Sequence, residues 1–271
     1  MTCTKFNTAI LINVPMLLAT GATVVLLSRD AAAEDLSPVE ILKKTQANYA
    51  SLASYSDEGK VIKTISSDTI TTKFTIRLAR TNFYRIEWTR DSESSRATMY
   101  NGPQAAWSSG AGDFLNVGYG PRNQPVRDIA LAEASAYSGG ATATIPVTFF
   151  NLQPDDALDG LALGENQQAD EKLGDVDCYV FAKELLGQKS TLWIGKQDFL
   201  IHQFRTETGA EAMQVRLAAA MVEPDLIDRL QKSGNLAFTS IETHTNIVLN
   251  KKFVPSDFVP SFPTFSSFDS E

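Results

Sequence analysis

The stretch Ile70-Thr-Thr-Lys-Phe-Thr-Ile-Arg-Leu-Ala-Arg80, followed after Thr81-Asn82 by Phe83-Tyr-Arg-Ile-Glu-Trp-Thr-Arg90, decides the fold. Phe74, Ile76 and Leu78 alternate with Lys73, Thr75 and Arg77, and Tyr84, Ile86 and Trp88 alternate with Arg85, Glu87 and Thr89. A period of two with one apolar and one polar face is the mark of antiparallel strands covered on one side only. Asn82 supplies the turn between the two runs. The spacing therefore predicts a hairpin whose inner face carries six large apolar side chains.

Working outward, further short strands are predicted at Arg96–Tyr100, Ala105–Ser108 and Phe114–Gly118, with Asn101-Gly102 and Gly110-Ala-Gly112 as turns. Strand patterns return at Val176–Lys183, Lys189–Gly195 and Phe199–Glu207, and a long last strand at Leu236–Asn250 presents Ile241, Ile247 and Leu249 on one face. Helical spacing runs from Pro38 through Ser54, opened by the capping-box pattern Ser37-Pro-Val-Glu40. Pro125–Tyr137 and Glu211–Lys232 also read as helical, and Ile145–Leu152 as an apolar segment. The Tyr119–Asp175 connection is long for a β domain, and such connections usually serve as lids or covering layers. The aromatic, proline-rich tail around Phe253, Phe258 and Phe262 is expected along the edge or mouth of the sheet.

The first 33 residues read differently. Lys5 precedes an uncharged apolar run, Thr8–Ser28, and Ala31-Ala32-Ala33 follows as a small-residue cleavage site. Residues 1–33 are thus expected to be a secretory signal peptide cut after Ala33, which exports the mature chain to an oxidising compartment. The alternative is an uncleaved N-terminal membrane anchor, since the run is long enough to span a bilayer. Residues 34–271 form a single expected domain with helical insertions near 120–160 and 211–232. Cutting after Ala33 leaves 22 basic and 31 acidic residues, a net charge of −9, against −8 for all 271 residues. It also leaves Cys178 as the single cysteine of the mature chain, so no internal disulfide can form.

Little in this composition supports chemistry. The acidic balance disfavours nucleic acid, which needs clustered Lys and Arg. Two His and two distant Cys are poor material for a zinc site. Asp155, Asp156 and Asp159-Gly160 suggest a calcium loop but fail at Ala157 and Asn166, which leaves an acidic turn after Pro154. No Gly-x-Ser-x-Gly elbow and no phosphate-binding glycine loop are present. His202 shares a face with Leu200 and Phe204 and is expected to be a hydrogen-bonded core or cavity residue. His244 shares a face with Glu242 and Asn246 and is expected in solvent. No catalytic residue, metal ligand or cofactor site is assigned, and a spatially assembled hydrolase site near His202 is a third-ranked alternative.

Several blocks, taken in order, resemble a known superfamily. They are the helix ending Asn48-Tyr49-Ala-Ser-Leu52-Ala-Ser-Tyr55, then Asn101-Gly102 with Trp107, and Gly174-Asp-Val-Asp177-Cys178-Tyr-Val-Phe181. Thr191-Leu-Trp193-Ile-Gly-Lys-Gln-Asp-Phe199 and Asn246-Ile-Val-Leu-Asn250 complete the series. The chain resembles the LolA/LolB-like periplasmic lipoprotein carriers and RseB-type sensors, and within them a group of predicted periplasmic proteins of unassigned function. The resemblance implies an α+β, mainly antiparallel fold: a curved, incompletely closed half-barrel with helices covering its concave side. It also implies a hollow for acyl chains or another apolar ligand, and a lid-contacting arginine for which Arg77 and Arg85 are the candidates. The expected ligand-binding residues are Phe74, Ile76, Leu78, Tyr84, Ile86 and Trp88, with Trp107 and Trp193 at the walls. The Val126–Tyr137 helix or the first helix would act as lid. The expected partner is a lipid or an acylated protein. The alternative is an envelope sensor or interaction module that binds a membrane-associated envelope protein and carries no ligand.

Overall fold

The computed structural model describes residues 36–65, 68–80, 82–92, 104–108, 112–117, 121–152, 166–219 and 237–261, with Asp225 and Lys232. Eleven strands form one antiparallel sheet: β1 (Ser54–Ile65), β2 (Asp68–Ala79), β3 (Phe83–Ser92), β4 (Gln104–Ser108), β5 (Asp113–Asn116), β6 (Arg122–Gln124), β7 (Glu171–Leu173), β8 (Val176–Leu185), β9 (Gln188–Gly195), β10 (Ile201–Thr208) and β11 (Phe238–Leu249). Their order is β6-β5-β4-β3-β2-β1-β11-β10-β9-β8-β7. The chain lays down six strands in one direction, crosses to the far edge, and meanders back until β11 pairs with β1. β6 and β7 do not pair with each other, so the sheet is an open barrel.

Among the described residues the helices that accompany it are α1 (Pro38–Ser51), α2 (Arg127–Ser138), α3 (Ile145–Phe150) and α4 (Ala210–Ala219). α1, α2 and α3 contribute Ile41, Tyr49, Leu131, Ile145 and Phe149 to one core cluster with the inner side chains of β2 and β3. Covering one face of the sheet leaves the other wet, and the alternation of Ile70–Arg90 follows from that.

The first helix begins where the sequence indicates. The Ser37 hydroxyl accepts from the Glu40 N–H at 3.4 Å, and the Glu40 carboxylate accepts from the Ser37 N–H at 2.9 Å. A Ser37→Ala variant is expected to lose about 1 kcal/mol of stability in urea denaturation, since one orphan N–H of the first turn loses its acceptor. The helix ends at Ser51, not Ser54, because Ser54 already opens β1, a strand that the sequence pattern did not signal. β1 reads Ser-Tyr-Ser-Asp-Glu-Gly-Lys-Val, with a polar residue and a glycine on its inner face, and this masks its period of two.

The last strand carries a bulge. Ser56 pairs with Val248 but Glu58 with Thr245, and Asn246 takes a left-handed φ of 53°. One extra residue flips the side-chain parity within β11. Ile247 therefore packs on the core while Ile241 points to the other side of the sheet, so the expected shared face of Ile241, Ile247 and Leu249 is broken. The predicted strand Arg96–Tyr100, the Asp155–Gly160 turn, and most of the 220–232 part of the predicted Glu211–Lys232 helix lie outside the described residues.

Candidate functional site

The β2–β3 hairpin sets Phe74 opposite Trp88, Ile76 opposite Ile86 and Leu78 opposite Tyr84. All six side chains are 0–3% exposed and belong to one cluster. Above them lies α3, where the Phe150 ring meets Tyr84 edge-on at 6.4 Å. The guanidinium groups of Arg80 and Arg127 sit over the Phe149 and Phe150 rings at 4.2 and 4.6 Å. α2 and α3 are joined by Gly139 and Gly140, with φ of 76° and 124°, and α3 is followed by Asn151 in the left-handed region. A φ of 124° is open to glycine and little else.

The two other expected wall residues do not join this group. Arg85 pairs with Trp107 while Ile86 pairs with Ala106, so parity turns Ala106 inward and Trp107 outward. Trp107 stacks on Phe114 at 5.3 Å. Trp193 clusters with Cys178 and Val180, apart from the main core, and its indole N–H donates to Glu171 at 2.8 Å. The outer side of β1, β2 and β11 carries an open groove of about 440 Å³ bordered by Glu58, Lys60, Lys73 and Thr243. Its charged border is unlike the apolar inner face.

Beside the apolar floor the inner face of β1 and β11 holds charged groups. His244, expected in solvent, has a fully buried side chain, as does Asp57. His244 Nδ1 lies 2.6 Å from Asp57 Oδ2, and its Nε2 lies 3.3 Å from Glu242 Oε1. The Tyr55 hydroxyl donates to Asp57 Oδ2 at 2.8 Å. Thr144, immediately before α3, donates its hydroxyl to Glu242 Oε1 at 2.9 Å. Burial by itself would push the imidazole pKa down, but the hydrogen bonds and charges of Asp57 and Glu242 outweigh it and hold the pKa at about 10. At neutral pH the ring is an imidazolium held between two acids, so it has no free lone pair with which to act as a general base. Gly59 makes room for the cluster: it sits between Phe74 and His244 in the register, and the two rings meet edge-on at 5.5 Å.

No protein-family model matches the chain, and no curated protein does. Solved structures do. A LolA superfamily protein from Nitrosomonas europaea is similar over 83% of this chain and 98% of its own, at 10% identity and a TM-score of 0.33. LprF from Mycobacterium bovis is similar over 80% of this chain and 94% of its own, at 8% identity and a TM-score of 0.42. The MucA/MucB complex of Pseudomonas aeruginosa matches 83% of this chain and 61% of that one, at 8% identity and a TM-score of 0.40.

The remaining candidates have structural partners. His202 is half-buried and its Nε2 lies 2.9 Å from Asp198 Oδ2, which pins the turn between β9 and β10. Burial works against ionisation of Asp198, but His202 and the Leu200 N–H hold its pKa below the usual value. Cys178 is buried, and burial pushes its thiol up to about 11, where it is a poor nucleophile. Arg77 and Arg85 both face outward and donate to the Asp257 carbonyl at 3.3 and 3.2 Å. They hold a 3-10 turn, Pro255–Phe258, whose Phe258 ring packs on Phe83 at 5.3 Å. The tail therefore lies on the outer face of β2 and β3, two interior strands, and not at the edge of the sheet. Among the described residues no group of three or more His, Cys, Asp or Glu is arranged to hold a metal ion, and no helix is long and apolar enough to cross a membrane.

Proposed function

We propose that this protein is an exported, non-catalytic binder or carrier of a lipid-like ligand. The ligand occupies the apolar floor formed by Phe74, Ile76, Leu78, Tyr84, Ile86 and Trp88, in the place α3 takes in the closed form. The observation that carries this reading is the nature of the cover. α3 has six residues, too few to be stable alone, and lies between glycines and an asparagine at positive φ. Such a segment can leave as a unit while the sheet stays intact. The N-terminal apolar run with its alanine cleavage site supports export to the periplasm.

Ligand and closed cover compete for one volume, so the apparent affinity is the intrinsic one reduced by the fraction of open molecules. Phe150→Ala removes the edge contact with Tyr84 and the seat of Arg127. It is expected to tighten binding of monopalmitoylglycerol, by about tenfold for each 1.4 kcal/mol of closure that is lost. Titration followed by native mass spectrometry measures this. Absence of uptake by both proteins, together with a clean apo mass for protein isolated from the periplasm, would overturn the reading.

The alternative, a sensor or interaction module, is favoured by one feature: β6 and β7 are open edges at which a partner strand can add. Recovery of a stoichiometric membrane-associated protein, with no lipid uptake, would support it.

A further inference from the structure

Resting on the carrier reading, we propose that Glu242 and His244 read the polar end of the ligand, and that they select a neutral, hydroxyl-bearing head group over a carboxylate. The inner row of β1 and β11 continues the apolar floor sideways. Asp57 pairs with Ile76 and Gly59 with Phe74, and His244 lies directly across Gly59. An amphiphile whose chain replaces Phe149 and Phe150 above the floor thus brings its head to the charged group.

In the closed form that place is filled by the protein's own hydroxyl. Thr144 stands one residue before α3, is 8% exposed, and donates to Glu242 while lying 3.4 Å from His244 Nε2. It moves with the cover. When α3 leaves, Glu242 Oε1 keeps its contact to His244 Nε2 at 3.3 Å but loses the Thr144 hydroxyl, the shorter of its two donors. A hydroxyl on the ligand restores that bond. One acceptor is unmet even in the closed form: among the described residues no donor reaches the buried Asp57 Oδ1. The cluster sets two acids against one imidazolium, so it accepts donors and repels an anionic head. The apolar floor fixes the chain and Thr144 reveals the head.

The test compares monopalmitoylglycerol with palmitate, equal in chain length and different in head, on the full chain at neutral pH by native mass spectrometry and competition. The expected result is a preference of about tenfold or more for the glycerol ester, the usual penalty for leaving a buried polar partner unmatched. Glu242→Gln removes one charge and should shrink that preference by about threefold or more. Thr144→Val removes the competing hydroxyl without touching the floor and should tighten the glycerol ester. Palmitate binding as tightly as the ester, or an unchanged ratio in Glu242→Gln, would overturn the head-group assignment while leaving the carrier reading standing. Failure of both probes to bind would overturn the carrier reading and this assignment together.

Discussion

His244→Ala is expected to unfold about 3–5 kcal/mol more easily than the parent chain in urea at neutral pH. The reason is what remains. Asp57 and Glu242 would face each other across a vacated space inside the sheet, and removing one partner of a buried ion pair leaves an uncompensated charge. A loss below about 1 kcal/mol would mean that the cluster is not charged as described. The same group predicts a pH profile. His244 holds its proton up to about pH 10 in the folded state, against 6.5 for an ordinary histidine. A folded pKa above the unfolded one means that the stabilisation is complete below pH 6.5 and is lost as pH rises from 6.5 through 10. Within that window stability should fall by up to about 1.4 kcal/mol per pH unit. His244→Ala should lack this alkaline slope, which separates it from other titrating groups.

Gly59→Ala is the second large effect. An added Cβ would lie 2.2 Å from the tip of the Phe74 ring and 2.4 Å from the Thr243 carbonyl oxygen. The Phe74 ring is buried in the core and the Thr243 carbonyl is backbone in the neighbouring strand, so relief requires repacking the ring on β2 and shifting the β1–β11 pair. A loss of about 2–3 kcal/mol is expected in thermal or urea unfolding, the usual range for overpacking a sheet core. Phe74→Leu in the same chain should recover only part of it, because the Thr243 clash remains. Full recovery would show that the ring alone is the obstacle. The value of this glycine is local: here the sheet gives up a side chain so that Phe74 can reach across to His244.

Much of the outer plan could be read directly. The alternation in Ile70–Arg90 put Phe74, Ile76, Leu78, Tyr84, Ile86 and Trp88 on one face, and they do share it, buried together. Pairing of strands and the side covered by helices follow from such patterns because burying one face is the dominant favourable term. The capping box at Ser37 was equally local. His244 was not legible, for a definite reason. Parity correctly joined it to Glu242, but a row of charged residues on a strand is ordinarily the wet face. Burying it is acceptable only when partners from other elements meet it, and these came from β1, 187 residues away, and from the threonine before α3. Trp107 and Trp193 failed the other way. Large aromatics suggest a wall, yet register turned both to the opposite side of the sheet, into small clusters of their own.

By itself the sequence determined the antiparallel meander, its apolar inner face and the first helix, since each rests on periodicity or on contacts within a few residues; Ile145–Leu152 read only as an apolar segment, and its place as the short helix over the floor came from the tertiary structure. The tertiary structure decided what stands beside that face: an imidazolium between two acids, a glycine opposite it, and a threonine hydroxyl on the cover that satisfies one acid. These depend on register, on the bulge at Asn246 and on the crossing of the sheet between β6 and β7, which bring distant segments together at hydrogen-bond distance. No period in the chain encodes such a meeting, because its energy comes from pairs that become neighbours only after the sheet has formed.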